Sequence, residues 1–154
     1  MDRKKNIFDK IGSLIPGYMG YSEREGRRNC DKILREEIVL QLNDVEKILY
    51  SEMKQAIDQE NTSQLKMIEE VRKQINTFSS RVQFSPHGAT SFFSDSEIKE
   101  DELLMIYQID LDLAESVKNL SKSASMLHFN DIERMLSASQ EILKKRNSYI
   151  ANLK

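Results

Sequence analysis

Glycine and proline punctuate only two places in this chain, and that distribution decides what it can fold into. Gly12, Pro16, Gly17, Gly20 and Gly26 fall within the first 26 residues, Pro86 and Gly88 sit together, and residues 27–85 and 89–154 contain neither. Inside a helix proline costs roughly 3 kcal/mol and glycine about 1 kcal/mol, so two such stretches suit long helices. With 154 residues, 39% of them hydrophobic and 31% charged, the chain can bury a core without staples and is too apolar for disorder. Cys30 is the single cysteine; it excludes an intramolecular disulfide and reads as a small buried apolar residue.

Apolar spacing then places the elements. Ile7, Phe8, Ile11, Leu14 and Ile15 recur at helical intervals among Lys4, Lys5 and Lys10, which predicts a short amphipathic helix that packs as a flap or touches an anionic membrane surface weakly. Gly17 and Gly20 permit tight turns that bring Tyr18 and Tyr21 close to whatever they cover. Ser22 and Glu25 have the spacing of a capping box. From there the stripe Cys30, Leu34, Ile38, Leu42, Val45, Leu49 predicts a helix to about Asp58, roughly 55 Å long. The apolar-free run 58–64 reads as a turn, with Asn61 or Thr62 capping a second helix on Leu65, Ile68, Val71, Ile75, Phe78 and Val82.

Residues 83–97 are the long irregular segment of the interior. A Pro86-x-Gly88 turn flanked by Phe84, Phe92 and Phe93 is too aromatic for a solvated linker and should fold back onto the helices. The acids of 97–102 suit the positive end of a third helix, and Asn130 with Glu133 has the pattern of a cap on a fourth. The expected fold is all-α: an antiparallel bundle of about four long helices over 22–154, preceded by an amphipathic leader and Gly/Tyr turn over 1–21, with one long aromatic loop.

Charge narrows the function. A net charge of −2 argues against a general nucleic-acid binder, yet residues 1–35 hold nine Lys/Arg against five Asp/Glu. In the cluster Arg24, Arg27, Arg28, Lys32, Arg35 the acids Glu23, Glu25, Asp31, Glu36 and Glu37 interleave, so self-contained helix pairs are expected and nucleic acid is not the expected partner. No apolar run is long enough to span a bilayer, and the start has acids where a signal peptide would be apolar; the expected location is the cytoplasm, with weak membrane-peripheral contact through residues 1–15 as the alternative.

Asp110 falls on the apolar face of the third helix, where an ionised carboxylate must be paired; Arg28 or Arg35 is its expected partner. No phosphate-loop, dinucleotide or nucleophile-elbow motif is present, and neither His87 nor His128 has a glutamate three residues before it. No catalytic residue, metal or cofactor is expected. The expected binding surface is one composite end of Tyr18, Tyr21, Arg24, Arg27, Arg28, Arg35, Phe92, Phe93 and Asp110. A non-catalytic contact with a protein partner, or self-association, is the first reading of that end, and a small-molecule or anion-binding module is the second.

The run P-G-Y-x-G-Y-x-x-R-E-x-R-R-x-x-D-K-x-x-R-E at 16–36, followed by S-P-H-G-A-T-S-F-F-S and L-x-x-I-Y-Q-I-D at 103–110, resembles a set of small uncharacterised bacterial helical proteins. Those carry A-P-Y-G-Y-x-G-F-F at the loop, so His87 and Ala89 stand here where aromatic residues are usual. The resemblance implies a bacterial origin and a link between the two irregular segments; it brings no activity.

Overall fold

The computed structural model describes residues 3–85, 91–93 and 97–153. Five helices pack against one another: α1 (Arg3–Leu14), α2 (Arg27–Asp58), α3 (Thr62–Phe84), α4 (Glu100–Ser125) and α5 (Phe129–Ala151). Single 3₁₀ turns stand at Arg24–Gly26 and Ser91–Phe93, and no strand occurs among the described residues. His87 and the turn around Pro86 and Gly88 lie outside the described residues.

Two helical hairpins set the plan. The polar run after Asp58 forms the expected turn: Asn61 N–H reaches back to the Ala56 carbonyl at 2.9 Å, and Asn61 Oδ1 accepts the Gln64 N–H at 3.2 Å to cap α3. The α4–α5 turn closes alike, with His128 N–H on the Ser123 carbonyl at 3.0 Å. Glu60 and Leu127 occupy the left-handed position of these two turns, at φ 57° and 59°. Hairpin α2–α3 packs on hairpin α4–α5 through α2 against α4 and α3 against α5, while α1 lies on α4. Ile7 and Ile11 of α1 and Ile15 just after it are buried in the same core as Leu34, Ile38, Ile75, Val117 and Leu136.

Two expected caps are corrected. The helix predicted from Ser22 begins at Arg27, after the 3₁₀ turn, and has no side-chain cap. Ser22 Oγ lies instead 3.5 Å from the Tyr107 hydroxyl, a partner 85 residues away, so α2 is nearer 48 Å in length by its 32 residues. Asn130 and Glu133 do not cap the last helix either. The Ser-Lys-Ser-Ala-Ser run at 121–125 continues α4 to Ser125, and α5 starts at Phe129 behind His128.

Candidate functional site

At one end of the molecule the segment after α1 crosses the start of α2. Gly17 and Gly20 both have positive φ, 87° and 86°, which an L side chain adopts at a cost. Gly20 also has no room for one. A Cβ there would stand 2.6 Å from a ring carbon of Phe8 and 2.7 Å from the Tyr107 hydroxyl. This close approach presses Tyr18 and Tyr21 inward, edge-on to each other at 5.8 Å, with Tyr21 stacked on Tyr107 at 5.9 Å. The backbone N–H of Tyr21 donates to the Tyr107 hydroxyl at 3.0 Å.

Both tyrosine hydroxyls donate to one carboxylate oxygen: Asp110 Oδ2 accepts from Tyr18 at 2.7 Å and from Tyr21 at 2.6 Å. The other oxygen, Oδ1, accepts from Arg146 Nε at 2.6 Å. Arg146 Nη2 donates to the Tyr21 hydroxyl at 2.9 Å and stands 2.8 Å from Asp31 Oδ1. Asp31 Oδ2 in turn accepts from Arg35 Nε at 2.9 Å. Two aspartates and two arginines, from α2, α4 and α5, thus form a neutral chain. None of the four is more than 6% exposed, so removing one member would leave a buried charge uncompensated.

The partner expected for Asp110 is therefore corrected to Arg146. Arg35 is engaged elsewhere: besides Asp31 it donates through Nη1 to the carbonyls of Val82 at 2.6 Å and Ser85 at 3.4 Å, satisfying the open carbonyls at the end of α3 where a cation is favoured. Arg28 lies outside the core, its guanidinium 5.5 Å over the Phe93 ring.

Residues 91–93 of the aromatic segment lie at the same end. Phe92 is buried and meets Tyr21 edge-on at 5.0 Å. Arg27 ties the two segments together by donating from Nε to the Tyr21 carbonyl at 2.9 Å and from Nη1 to the Phe92 carbonyl at 3.1 Å. Of the residues expected at the composite end, Tyr18, Tyr21, Arg27, Phe92, Phe93 and Asp110 come together in the interior or against it. Arg35 lies two turns further along α2, buried, and Arg24 and Arg28 are exposed on the rim.

Asp31, Tyr107 and Arg146 were not among the expected site residues. The signal for Arg146 is present in the sequence: Leu136, Ser139, Leu143, Arg146 and Ile150 alternate by threes and fours and are all buried, but a stripe drawn through apolar residues alone passes over positions 139 and 146. Asp31 shares a face with Arg27 and Arg35 at four-residue spacing, a pattern that also fits a solvated surface.

Burial and neighbouring charge shift the titration of Tyr18, Tyr21, Cys30 and Arg146. Burial, and after it the Asp110 charge, pushes the Tyr18 and Tyr21 hydroxyls well above the ordinary tyrosine range. Burial works against the Arg146 cation, yet Asp110, Tyr21 and Asp31 together hold its pKa above the usual value. Burial and Asp110 raise the Cys30 thiol to about 11, so at neutral pH it is a thiol and a poor nucleophile. Every oxygen of Asp110 is occupied by a donor, and the arrangement acts as an internal lock that joins the Gly/Tyr segment, α2, α4 and α5.

Among the described residues no three His, Cys, Asp or Glu side chains group as a metal site, and no helix is long and apolar enough to cross a membrane. No known family, curated protein or solved structure matches this chain.

Proposed function

We propose that α2 to α5 form an antiparallel four-helix bundle serving as a non-catalytic interaction protein of the cytoplasm, whose composite end is a rigid platform for a protein partner. One observation carries this reading. Segments 16–21 and 91–93 and the start of α2 are sewn together by buried bonds, and this fixed frame carries Met19, 75% exposed, as well as the exposed Arg24 and Arg28. A surface held rigid before contact loses little entropy on binding, and exposed methionine and arginine are both enriched at interfaces. Membrane contact through residues 1–15 ranks lower, because Ile7, Ile11 and Ile15 would have to leave α4.

Photo-cross-linking in cells tests the platform. A photoreactive residue at Met19 should give a discrete adduct, while the same residue at Glu60, exposed beyond the other end of α2, should not. Equal labelling at both positions, or none at Met19, refutes it. The second reading, an anion-binding module, is favoured by the exposed cations Arg24, Arg28 and Lys32 on successive turns. Calorimetric titration with inorganic phosphate, compared with an Arg24→Glu, Arg28→Glu variant, decides that reading.

A further inference from the structure

A groove of about 560 Å³ runs along the outer side of α2 beside the end of α3. Its lining on α2 recurs at 28, 31/32, 35/36, 39/40 and 43, one stripe of a single helix followed for four turns, and Gln83 and Phe84 of α3 line it as well. Two large apolar side chains are open to solvent in it, Phe84 at 73% and Leu40 at 54% exposure. Exposed apolar surface gathered in one groove marks an interaction site more often than chance scatter does.

The charges in the groove are unevenly placed. Arg28 and Lys32 stand toward the start of α2, while Val39, Leu40 and Phe84 form the apolar part. Glu36 is the exposed acid of the lining and is engaged by Lys32 at 3.8 Å, in a pair that is largely solvated. Asp31 and Arg35, at the floor, are paired with each other. The accessible cations thus exceed the accessible acid by one, and Arg28, held over the Phe93 ring, projects a charge at the rim.

We infer that this groove docks an amphipathic α-helix of about four turns from a partner protein, with apolar side chains on one face and carboxylates flanking them. The length follows from the stripe, since the sixteen residues of helix from Arg28 to Asn43 span roughly 22 Å. Apolar anchors at successive turns would meet Val39, Leu40 and Phe84, in the manner of helix-in-groove recognition. The acidic character follows from Arg28 and Lys32. The inference rests on the reading of this chain as an interaction protein and gives its partner a chemistry.

The test uses the full chain and two labelled helical peptides of four turns, each with leucines on one face, one carrying glutamate and the other lysine on the flanks. By fluorescence anisotropy the glutamate peptide should bind at least about tenfold more tightly than its twin, with an affinity that weakens as salt is added. Leu40→Asp should weaken it by about tenfold or more, and the double variant Arg28→Glu, Lys32→Glu should reverse the preference. All three positions are exposed, so unchanged thermal unfolding shows that the fold is kept.

Equal binding of the two peptides, or an affinity indifferent to Leu40→Asp, overturns the inference. So does a concentration-dependent dimer dispersed by Leu40→Asp, which would give the groove to a second copy. A Met19 adduct that forms while the peptides fail to bind would leave the interaction role standing and remove only this groove.

Discussion

Replacing Asp110 by asparagine changes no volume, so whatever stability is lost comes from charge and hydrogen bonding. The carboxylate accepts three donors, from Tyr18, Tyr21 and Arg146. An amide must put its NH₂ at one of the two oxygen positions. At Oδ1 it would confront the Arg146 Nε–H at 2.6 Å, donor against donor. At Oδ2 the NH₂ takes away the acceptor to which both tyrosine hydroxyls donate, so each O–H must turn elsewhere in a buried site. In either placement Arg146 keeps only Asp31 as counter-charge.

Breaking a buried pair of this kind costs about 3–5 kcal/mol. At 2–4 °C per kcal/mol for a chain of this size, the melting temperature should fall by roughly 6–20 °C. Urea unfolding followed by far-ultraviolet circular dichroism, with an unchanged m-value, measures the free-energy loss. In a double-mutant cycle with Arg146→Met the coupling should be at least about 2 kcal/mol. An Asn variant within about 1 kcal/mol of the parent, or additive effects in the cycle, would refute the claim that this ion pair holds the core.

Three further outcomes follow from the same geometry. Gly20→Ala combines a positive φ with contacts below 3 Å to Phe8 and Tyr107 and should cost about 2–4 kcal/mol by equilibrium unfolding; Gly17→Ala, whose Cβ would meet only Ile33 at 3.8 Å, should cost about 1–2 kcal/mol. Tyr21→Phe removes a hydroxyl that donates to Asp110 and accepts from Arg146, and should destabilise by about 1.5–3 kcal/mol, more than Tyr18→Phe, whose hydroxyl bonds Asp110 alone among the described residues.

Alkaline pH should weaken the fold in two overlapping stages. The folded thiol of Cys30 keeps its proton from the ordinary 9.0 up to about 11, so its contribution is complete below pH 9 and falls by about 2–3 kcal/mol as pH rises across that window. Tyr18 and Tyr21, also raised on folding, withdraw theirs as pH climbs beyond about 10. A pH titration of unfolding free energy should show Cys30→Ala losing the first stage and keeping the second.

The helices were legible because breakers and apolar spacing act locally. Asn61 caps α3 as its position implied, and Asp110 stood out because it interrupts Ile106, Leu113 and Val117 on one face. Partner choice was not legible, since it depends on which helix lies beside which. Arg146 meets Asp110 because α5 folds back on α4, and Ser22 abandons its cap because Tyr107 is brought to it across 85 residues of chain. The sequence also offered five cations near the Gly/Tyr turn and no local reason to prefer a sixth near the far end of the chain.

The chain Arg35–Asp31–Arg146–Asp110 has a consequence for alignment. Leucines and isoleucines on facing helices can exchange contacts when one helix slides by a turn, since one apolar neighbour serves nearly as well as another. Slide α5 by that 5.4 Å and Arg146 leaves both carboxylates at once: Asp110 keeps its tyrosines and Asp31 keeps Arg35, but Asp110 loses its counter-charge and the guanidinium is carried away from both acids. These four side chains work as a vernier: they distinguish the correct offset of α5 against α2 and α4 from its neighbours, where greasy surfaces alone would read several offsets as nearly equal.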